Sequence, residues 1–138
     1  MRVLVCGCRN LSGYIGFKNY IYESMSIFHT QTKITKLIEG GASGVDYVAK
    51  QWAIVNKIPI KEFPAEWDKY NKSAGSIRNQ QMIDEGKPDI VIAFWDGKSR
   101  DTLDMISRAI SNRINVSIVS LNFLEKQDDS AFVDFLDL

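Results

Sequence analysis

The sequence has 138 residues, of which 45% are hydrophobic and 25% charged, as in an ordinary single globular domain. Its 17 basic and 17 acidic side chains balance, which excludes the broad basic surface that drives non-specific nucleic-acid binding. The apolar runs are too short for a signal peptide or a membrane span, and Cys6 and Cys8 are the only cysteines, which favours a soluble, cytoplasmic protein with free thiols. Because His29 is the only histidine, we expect no metal site. We expect neither a membrane nor a nucleic acid as partner.

Short apolar segments alternate along the chain with longer segments of helical period. In chain order, the pattern predicts strand Val3–Cys6, helix Phe17–His29, strand Ile34–Glu39, helix Val45–Asn56, strand Ile58–Phe63, a loop to Ser73, helix Ala74–Asp84 closed by Gly86, strand Ile90–Phe94, helix Thr102–Asn112 and strand Val116–Leu121. The alternation favours an α/β fold, namely a Rossmann-like open parallel sheet of about five strands with helices on both faces.

We interpret residues 1–138 as one ligand-binding domain, with a core over 1–121 and a tail over 122–138. Phe132, Phe135 and Leu136 give that tail an apolar stripe, which predicts a short docked helix. In the last helix of the core, Leu103, Ile106 and Ile110 are predicted to share the apolar face. Apolar helix faces left exposed by such a small domain predict a homo-oligomer.

Right-handed crossovers place the carboxyl ends of all parallel strands at one edge of the sheet, where ligands of open α/β folds bind. The strongest signal there is the segment E-G-G-A-S-G-V-D at residues 39–46. Its glycines let backbone amides approach a ligand, and the helix that follows favours an anion. Asp46 is placed to accept a ribose hydroxyl. The alternative is a tight turn in which Asp46 only complements the helix dipole.

Three further loops meet the same edge. Arg9 follows the first strand and Arg78 opens a helix against the dipole preference, so that both are candidates for phosphate binding. Trp67 is a candidate for stacking on a base or for capping the core, and Trp95 for a pocket wall or the core. The alternatives are a solvated Arg9, an Arg78 paired with an acid such as Glu66 or Asp68, and a solvated charged loop at 95–102. Cys8 has no base nearby and is expected to be an inert thiol.

Taken together, G-x-R after the first strand, E-G-G-A-S-G-V-D, P-A-E-W, A-G-S-I-R-N-Q-Q-M and A-F-W-D-G-K-S-R-x-T-x-x-M-I resemble the YspA-like, YpsA-related branch of the SLOG superfamily. Relatives of that branch include the LOG enzymes that activate cytokinins and the DprA/Smf domains. The resemblance covers about residues 1–121 and implies a Rossmann-like domain that binds nucleotides or their derivatives. Cys8 departs from the family pattern, which has glycine or serine at this position. Asp101 also departs from it, because the family has glycine there. Asp101 adds bulk and negative charge where a glycine lets a phosphate approach the backbone.

Residue chemistry and resemblance together give one set of candidate ligand-binding residues: Gly7, Arg9, Gly41, Ala42, Ser43, Gly44, Asp46, Trp67, Arg78, Asn79, Trp95, Ser99, Arg100 and Thr102. The leading hypothesis is a sensor or sequestering protein for an ADP-ribose, NAD-derived or cyclic-nucleotide signal, with no cofactor. The alternative is a nucleotide N-glycosidase or phosphoribohydrolase of LOG type. Its usual signature is incomplete here, because only Asp104 can replace the glutamate that follows the G-T pair in those enzymes.

Overall fold

A computed structural model describes residues 1–125 and contains a five-stranded sheet with helices on both faces. The strands are β1 (Arg2–Gly7), β2 (Lys36–Glu39), β3 (Ile60–Glu62), β4 (Ile90–Trp95) and β5 (Asn115–Ser120). The helices are α1 (Phe17–Gln31), α2 (Val45–Val55), α3 (Trp67–Tyr70), α4 (Ala74–Gly86) and α5 (Arg100–Ser111), with 3₁₀ turns at Asn71–Ser73 and Asn122–Leu124.

All neighbouring strands pair in parallel, in the order β3-β2-β1-β4-β5. The chain therefore runs outward from β1 in one direction and then crosses back to β4 on its other side. The strand order reverses between β1 and β4, and at such a point the loops diverge and leave a crevice at the carboxyl edge. The predicted Rossmann-like parallel sheet is confirmed.

The alternating side chains of the central strands build two cores. Val3 and Val5 face the layer formed by α1 and α2, whereas Leu4 and Cys6 face the layer formed by α4 and α5. The predicted stripe of α2 is fully buried, and its Trp52 is 1% exposed. Because each face of the sheet is covered, the strands read as continuous apolar runs rather than as alternating ones.

Several predicted boundaries were wrong because backbone groups at strand and helix ends bond elsewhere. The N–H of Ile58 donates to Ala53 at the end of α2, and the N–H of Ile34 donates to His29 of α1, so β3 and β2 begin two residues late. Residues 67–73, predicted as loop, form α3 and a 3₁₀ turn. Gly86 lies inside α4 against Ile38, and Lys87 takes the left-handed conformation instead, with φ 49°.

The apolar face predicted for α5 was also wrong. Leu103 and Ile110 are exposed, and the buried face consists of Thr102, Met105, Ile106 and Ala109. α5 begins at Arg100 rather than Thr102. Of the three predicted residues, only Ile106 is buried. The homo-oligomer stays a prediction, and Leu103 and Ile110 are apolar surface that it would cover. The predicted tail helix with Phe132, Phe135 and Leu136 lies outside the described residues.

Within residues 1–125, none of the helices combines the length and apolar character needed to cross a lipid bilayer.

Gly7 lies where the beginning of α2 packs closely against the sheet. A Cβ at this position would lie 2.4 Å from the backbone carbonyl oxygen of Phe94 and 2.7 Å from Val45. We therefore expect Gly7→Ala to lower the free energy of unfolding by about 1–3 kcal/mol, since neither neighbour is a flexible side-chain end. Urea unfolding measures the change. Gly13→Ala is the matched control, because a Cβ there meets nothing within 4 Å. Equal stability of the two variants would contradict the packing role of Gly7.

Candidate functional site

Loops from four strands converge at the carboxyl edge of the sheet. The Ser43 hydroxyl donates to the backbone oxygen of Arg9 at 3.1 Å, and the Val45 N–H donates to Cys8 at 3.0 Å, which joins the loops after β1 and β2. The loop after β3 supplies Trp67, and the Arg9 guanidinium lies 5.1 Å from the centre of its ring. The Cys8 thiol lies 3.8 Å from Asp96 in the loop after β4. The predicted meeting of these loops is present.

The glycine-rich loop is organised around a buried carboxylate. Asp46 is 6% exposed, and its Oδ2 accepts the N–H groups of Gly40 and Ala42, each at 3.2 Å. The N–H of Gly41 donates to Glu39 at 2.6 Å. Burial raises the pKa of Asp46 to about 6, although the Arg78 guanidinium and the two amides oppose the shift. Three loop amides, among them those of the candidate residues Gly41 and Ala42, thus bind carboxyl groups of the protein itself.

Arg78 connects this loop to α4 and α5. Its side chain is 3% exposed, and its Nη1 donates to the backbone oxygen of Gly40 at 2.7 Å. Its Nη2 donates to Asp101 at 3.1 Å and its Nε to Asn79 at 3.0 Å. A Cβ on Gly40 would lie 2.3 Å from Nη1, so only glycine lets the guanidinium pass here. Arg78 is paired with an acid, as the alternative interpretation proposed, but the acid is Asp101 rather than Glu66 or Asp68.

Arg9 and Trp67 stand between two clefts. The first has a volume of about 330 Å³ and lies over the glycine-rich loop, with Arg78 in its wall. The second has a volume of about 450 Å³ and lies between the beginnings of α4 and α5. Arg9 and Trp67 line both clefts, and 43% of the Arg9 side chain and 45% of Trp67 are exposed. The pair is therefore accessible from either side.

The wall of the second cleft carries charges of both signs. Arg9, Lys72 and Arg100 line it together with Asp101 and Asp104. Asp104 Oδ2 accepts from Asn79 at 2.9 Å and from Arg108 at 2.8 Å, so the carboxylate is fixed in orientation.

The loop after β4 is largely occupied by its own hydrogen bonds. Asp96 Oδ1 accepts the N–H groups of Lys98 and Ser99, both at 2.8 Å. The Trp95 indole donates to the Ser99 carbonyl, and the Ser99 and Thr102 hydroxyls lie 3.1 Å apart. Trp95 also packs against the core. These contacts hold the beginning of α5 in place behind the second cleft.

The predicted residues therefore divide into those that line clefts and those that support them. Residues lining the first or second cleft are Arg9, Gly41, Ala42, Ser43, Trp67, Arg78, Arg100 and the candidate Asp104. Gly44 borders a third, mainly apolar cleft of about 400 Å³ that also reaches Arg9. Residues whose described contacts lie within the protein are Gly7, Asp46, Asn79, Trp95, Ser99 and Thr102.

The sequence interpretation missed a pair of hydrogen-bonded carboxyl groups beside the glycine-rich loop, a buried Glu39 and an exposed Glu62. Glu39 is 0% exposed, and no N–H or hydroxyl group among residues 1–125 donates to its Oε1. Burial, followed by a hydrogen bond with Glu62, raises the pKa of Glu39 to about 8, and the same hydrogen bond and Lys50 lower the pKa of Glu62. A protonated Glu39 that donates to an ionised Glu62 satisfies both groups. An acid that ends an apolar strand, as in K-L-I-E at 36–39, was the available signal.

Both cysteines are free and buried. Burial raises the pKa of the Cys6 and Cys8 thiols, which keeps them protonated at neutral pH. A protonated, buried thiol is a poor nucleophile. This agrees with the inert thiol expected at Cys8.

Two comparisons with known proteins found sequences similar to this chain. Residues 1–70 match the family described as YspA, cpYpsA-related SLOG. The chain is also 30% identical over 95 residues to the Gene 61 protein of Mycobacterium phage D29, which covers 65% of this chain and 72% of that protein. No solved structure matches the chain significantly.

The pKa of Glu39 predicts a particular pH dependence of stability. Folded Glu39 keeps its proton up to about pH 8, whereas unfolded Glu39 releases it near its ordinary pKa of 4.5. The folded state therefore binds the extra proton, and the free energy of unfolding falls as pH rises through this window, by at most about 1.4 kcal/mol per pH unit. Asp46 adds a smaller fall that fades as pH rises above its pKa of about 6. Urea unfolding at pH 6, 7 and 8 measures the slope, to which Glu39 contributes most.

Glu39→Gln should remove most of the fall between pH 6 and 8, because the amide reproduces the neutral carboxyl and still accepts from Gly41. Glu85→Gln, at an exposed glutamate, is the control and should keep it. An unchanged slope in Glu39→Gln would show that another group binds the proton.

Proposed function

Because the chain belongs to the YspA, cpYpsA-related SLOG family, we propose that it binds a nucleotide or nucleotide-derived small molecule at the carboxyl edge of its sheet. Membership of SLOG itself suggests a nucleotide-related function. Our proposal is more specific: the ligand is of ADP-ribose, NAD-derived or cyclic-nucleotide type, and the protein senses or sequesters it.

The observation that carries this proposal is the position of Arg9 and Trp67 between the two clefts. The two clefts have volumes of about 330 and 450 Å³, which fall in the range of small-molecule sites. A nucleotide combines an anionic group with an aromatic ring, and Arg9 and Trp67 offer a guanidinium for the first and an indole face for the second. The glycine-rich loop leaves room for the sugar or phosphate beside them.

The carboxylates of the site favour binding over hydrolysis. Glycosidic cleavage needs a group that donates a proton to the leaving base. Asp101 accepts from two arginines, and Asp104 accepts from Asn79 and Arg108. Both therefore occupy hydrogen-bonding positions suited to an ionised carboxylate.

Binding can be tested with a pair of matched arginine variants. Arg9 and Arg2 stand at opposite ends of β1, are 43% and 45% exposed, and lie 3.5 Å from Asp101 and Asp89 respectively. We expect calorimetry or thermal shift to detect binding of at least one of NAD, ADP-ribose, cyclic ADP-ribose isomers and nucleoside monophosphates. Arg9→Gln should weaken that binding about tenfold or more, because a lost hydrogen bond to a charged group costs about 1.5 kcal/mol or more.

Arg2→Gln removes the same side chain at the other edge of the sheet and should leave the affinity unchanged. Stabilisation by none of these compounds, or equal loss in the two variants, would contradict the proposal.

A second function, hydrolysis of an N-glycosidic bond, is favoured by the position of Asp104. Its carboxylate is fixed by two donors on the wall of the second cleft, where it can stabilise a positively charged sugar. In this function Arg78 or Arg100 holds the phosphate.

The two functions differ in the fate of the ligand. Under our proposal, incubation of the wild-type chain with these nucleotides returns them intact by chromatography. Release of free base that is lost in Asp104→Asn, but kept in the exposed control Asp84→Asn, would establish hydrolysis instead.

A further inference from the structure

Asp101 lies where two arginines from distant parts of the chain converge. Its Oδ2 accepts from Nη2 of Arg78 at 3.1 Å and lies 3.5 Å from Nη2 of Arg9. Its Oδ1 lies 3.3 Å from the Asn79 amide nitrogen, and would lie 3.0 Å from a Cβ on Gly75. One carboxylate thus receives two guanidinium groups and an amide, and Gly75 lies close to its Oδ1.

This arrangement has the composition of an anion-binding site. Arginines and amides converging on one oxyanion are the usual means by which proteins hold a phosphate. Here the anion is a side chain of the protein. Asp101 is 36% exposed, whereas Arg78 behind it is 3% exposed, so a molecule in the second cleft meets the carboxylate before the buried guanidinium.

We propose that Asp101 is a specificity-determining residue that occupies the anion subsite of Arg9 and Arg78. An anionic group of a ligand binds there only after it displaces the carboxylate. Inorganic phosphate or pyrophosphate gains too little free energy to displace the carboxylate, because it only replaces the arginine–Asp101 pairs with similar arginine–anion pairs. A ligand with a large organic part adds contacts in the clefts and overcomes this competition. The subsite therefore selects nucleotide-like ligands against inorganic anions.

The inference rests on the proposed function for its biological meaning, but its test does not need a nucleotide. Inorganic pyrophosphate is the probe, and calorimetry and thermal shift at fixed ionic strength are the measurements. Asp101→Asn keeps the size of the side chain and removes its charge. We expect it to bind pyrophosphate at least about tenfold more tightly than wild type, since the repelling charge is gone and Arg78 lacks its partner.

Two further variants distinguish this effect from others. Asp101→Ser frees the same arginines with a smaller side chain and should show a similar gain, which keeps the test valid if one substitution impairs folding. Asp104→Asn removes an equal charge from the same cleft, but the partners of Asp104 are Asn79 and Arg108, so its gain should be much smaller. No gain in the Asp101 variants, or an equal gain in Asp104→Asn, would overturn the inference.

Nucleotide binding is measured separately from pyrophosphate binding, so that the two proposals can fail independently. If the Asp101 variants gain pyrophosphate affinity while no nucleotide binds any form, the anion subsite stands and the proposed function fails. If wild type binds ADP-ribose but the Asp101 variants gain nothing for pyrophosphate, the proposed function stands and this inference fails.

Discussion

The buried guanidinium of Arg78 is the interaction on which the site depends. It joins the Gly40 carbonyl of the glycine-rich loop, Asn79 of α4 and Asp101 of α5, which are distant in sequence. A guanidinium without any partner at this depth would cost several kcal/mol, and these three partners share the task of satisfying it. The same requirement fixes the shape of both clefts, since Arg78 supports the wall of the first and positions Asp101 in the second.

Buried carboxyl groups play the complementary part in the glycine-rich loop. Asp46 and Glu39 accept three of its amides, which fixes the backbone before any ligand arrives. Preorganisation of this kind reduces the ordering cost of binding. Under the proposed function, recognition of an anion therefore falls to the arginine side chains more than to the loop amides that the sequence pattern emphasises.

The sequence predicted the architecture well because the information for it is local. Apolar period and glycine positions are enough to place the strands, the helices and the edge where their loops meet. The partners within the site could not be predicted in the same way. Asp101 meets Arg78 only through the packing of α5 on α4, and Glu39 meets Glu62 only through the register of β2 and β3. The buried face of α5 was misassigned because Leu103 and Ile110 are apolar but exposed, while Thr102 is polar and buried.

Ion pairs inside the site explain how a neutral chain can carry several arginines at one edge. Arg78 pairs with Asp101 and Arg108 with Asp104, so part of the positive charge at this edge is already compensated within the protein. An anionic ligand that enters the site replaces a side-chain carboxylate as the partner of an arginine, rather than binding to an unpaired arginine. Because the Coulomb gain of such an exchange is small, affinity depends on how well the remainder of the ligand packs and how much water it displaces. Under the proposed function, charge thus orients the ligand, and the stacking and shape of the clefts determine which ligand is retained.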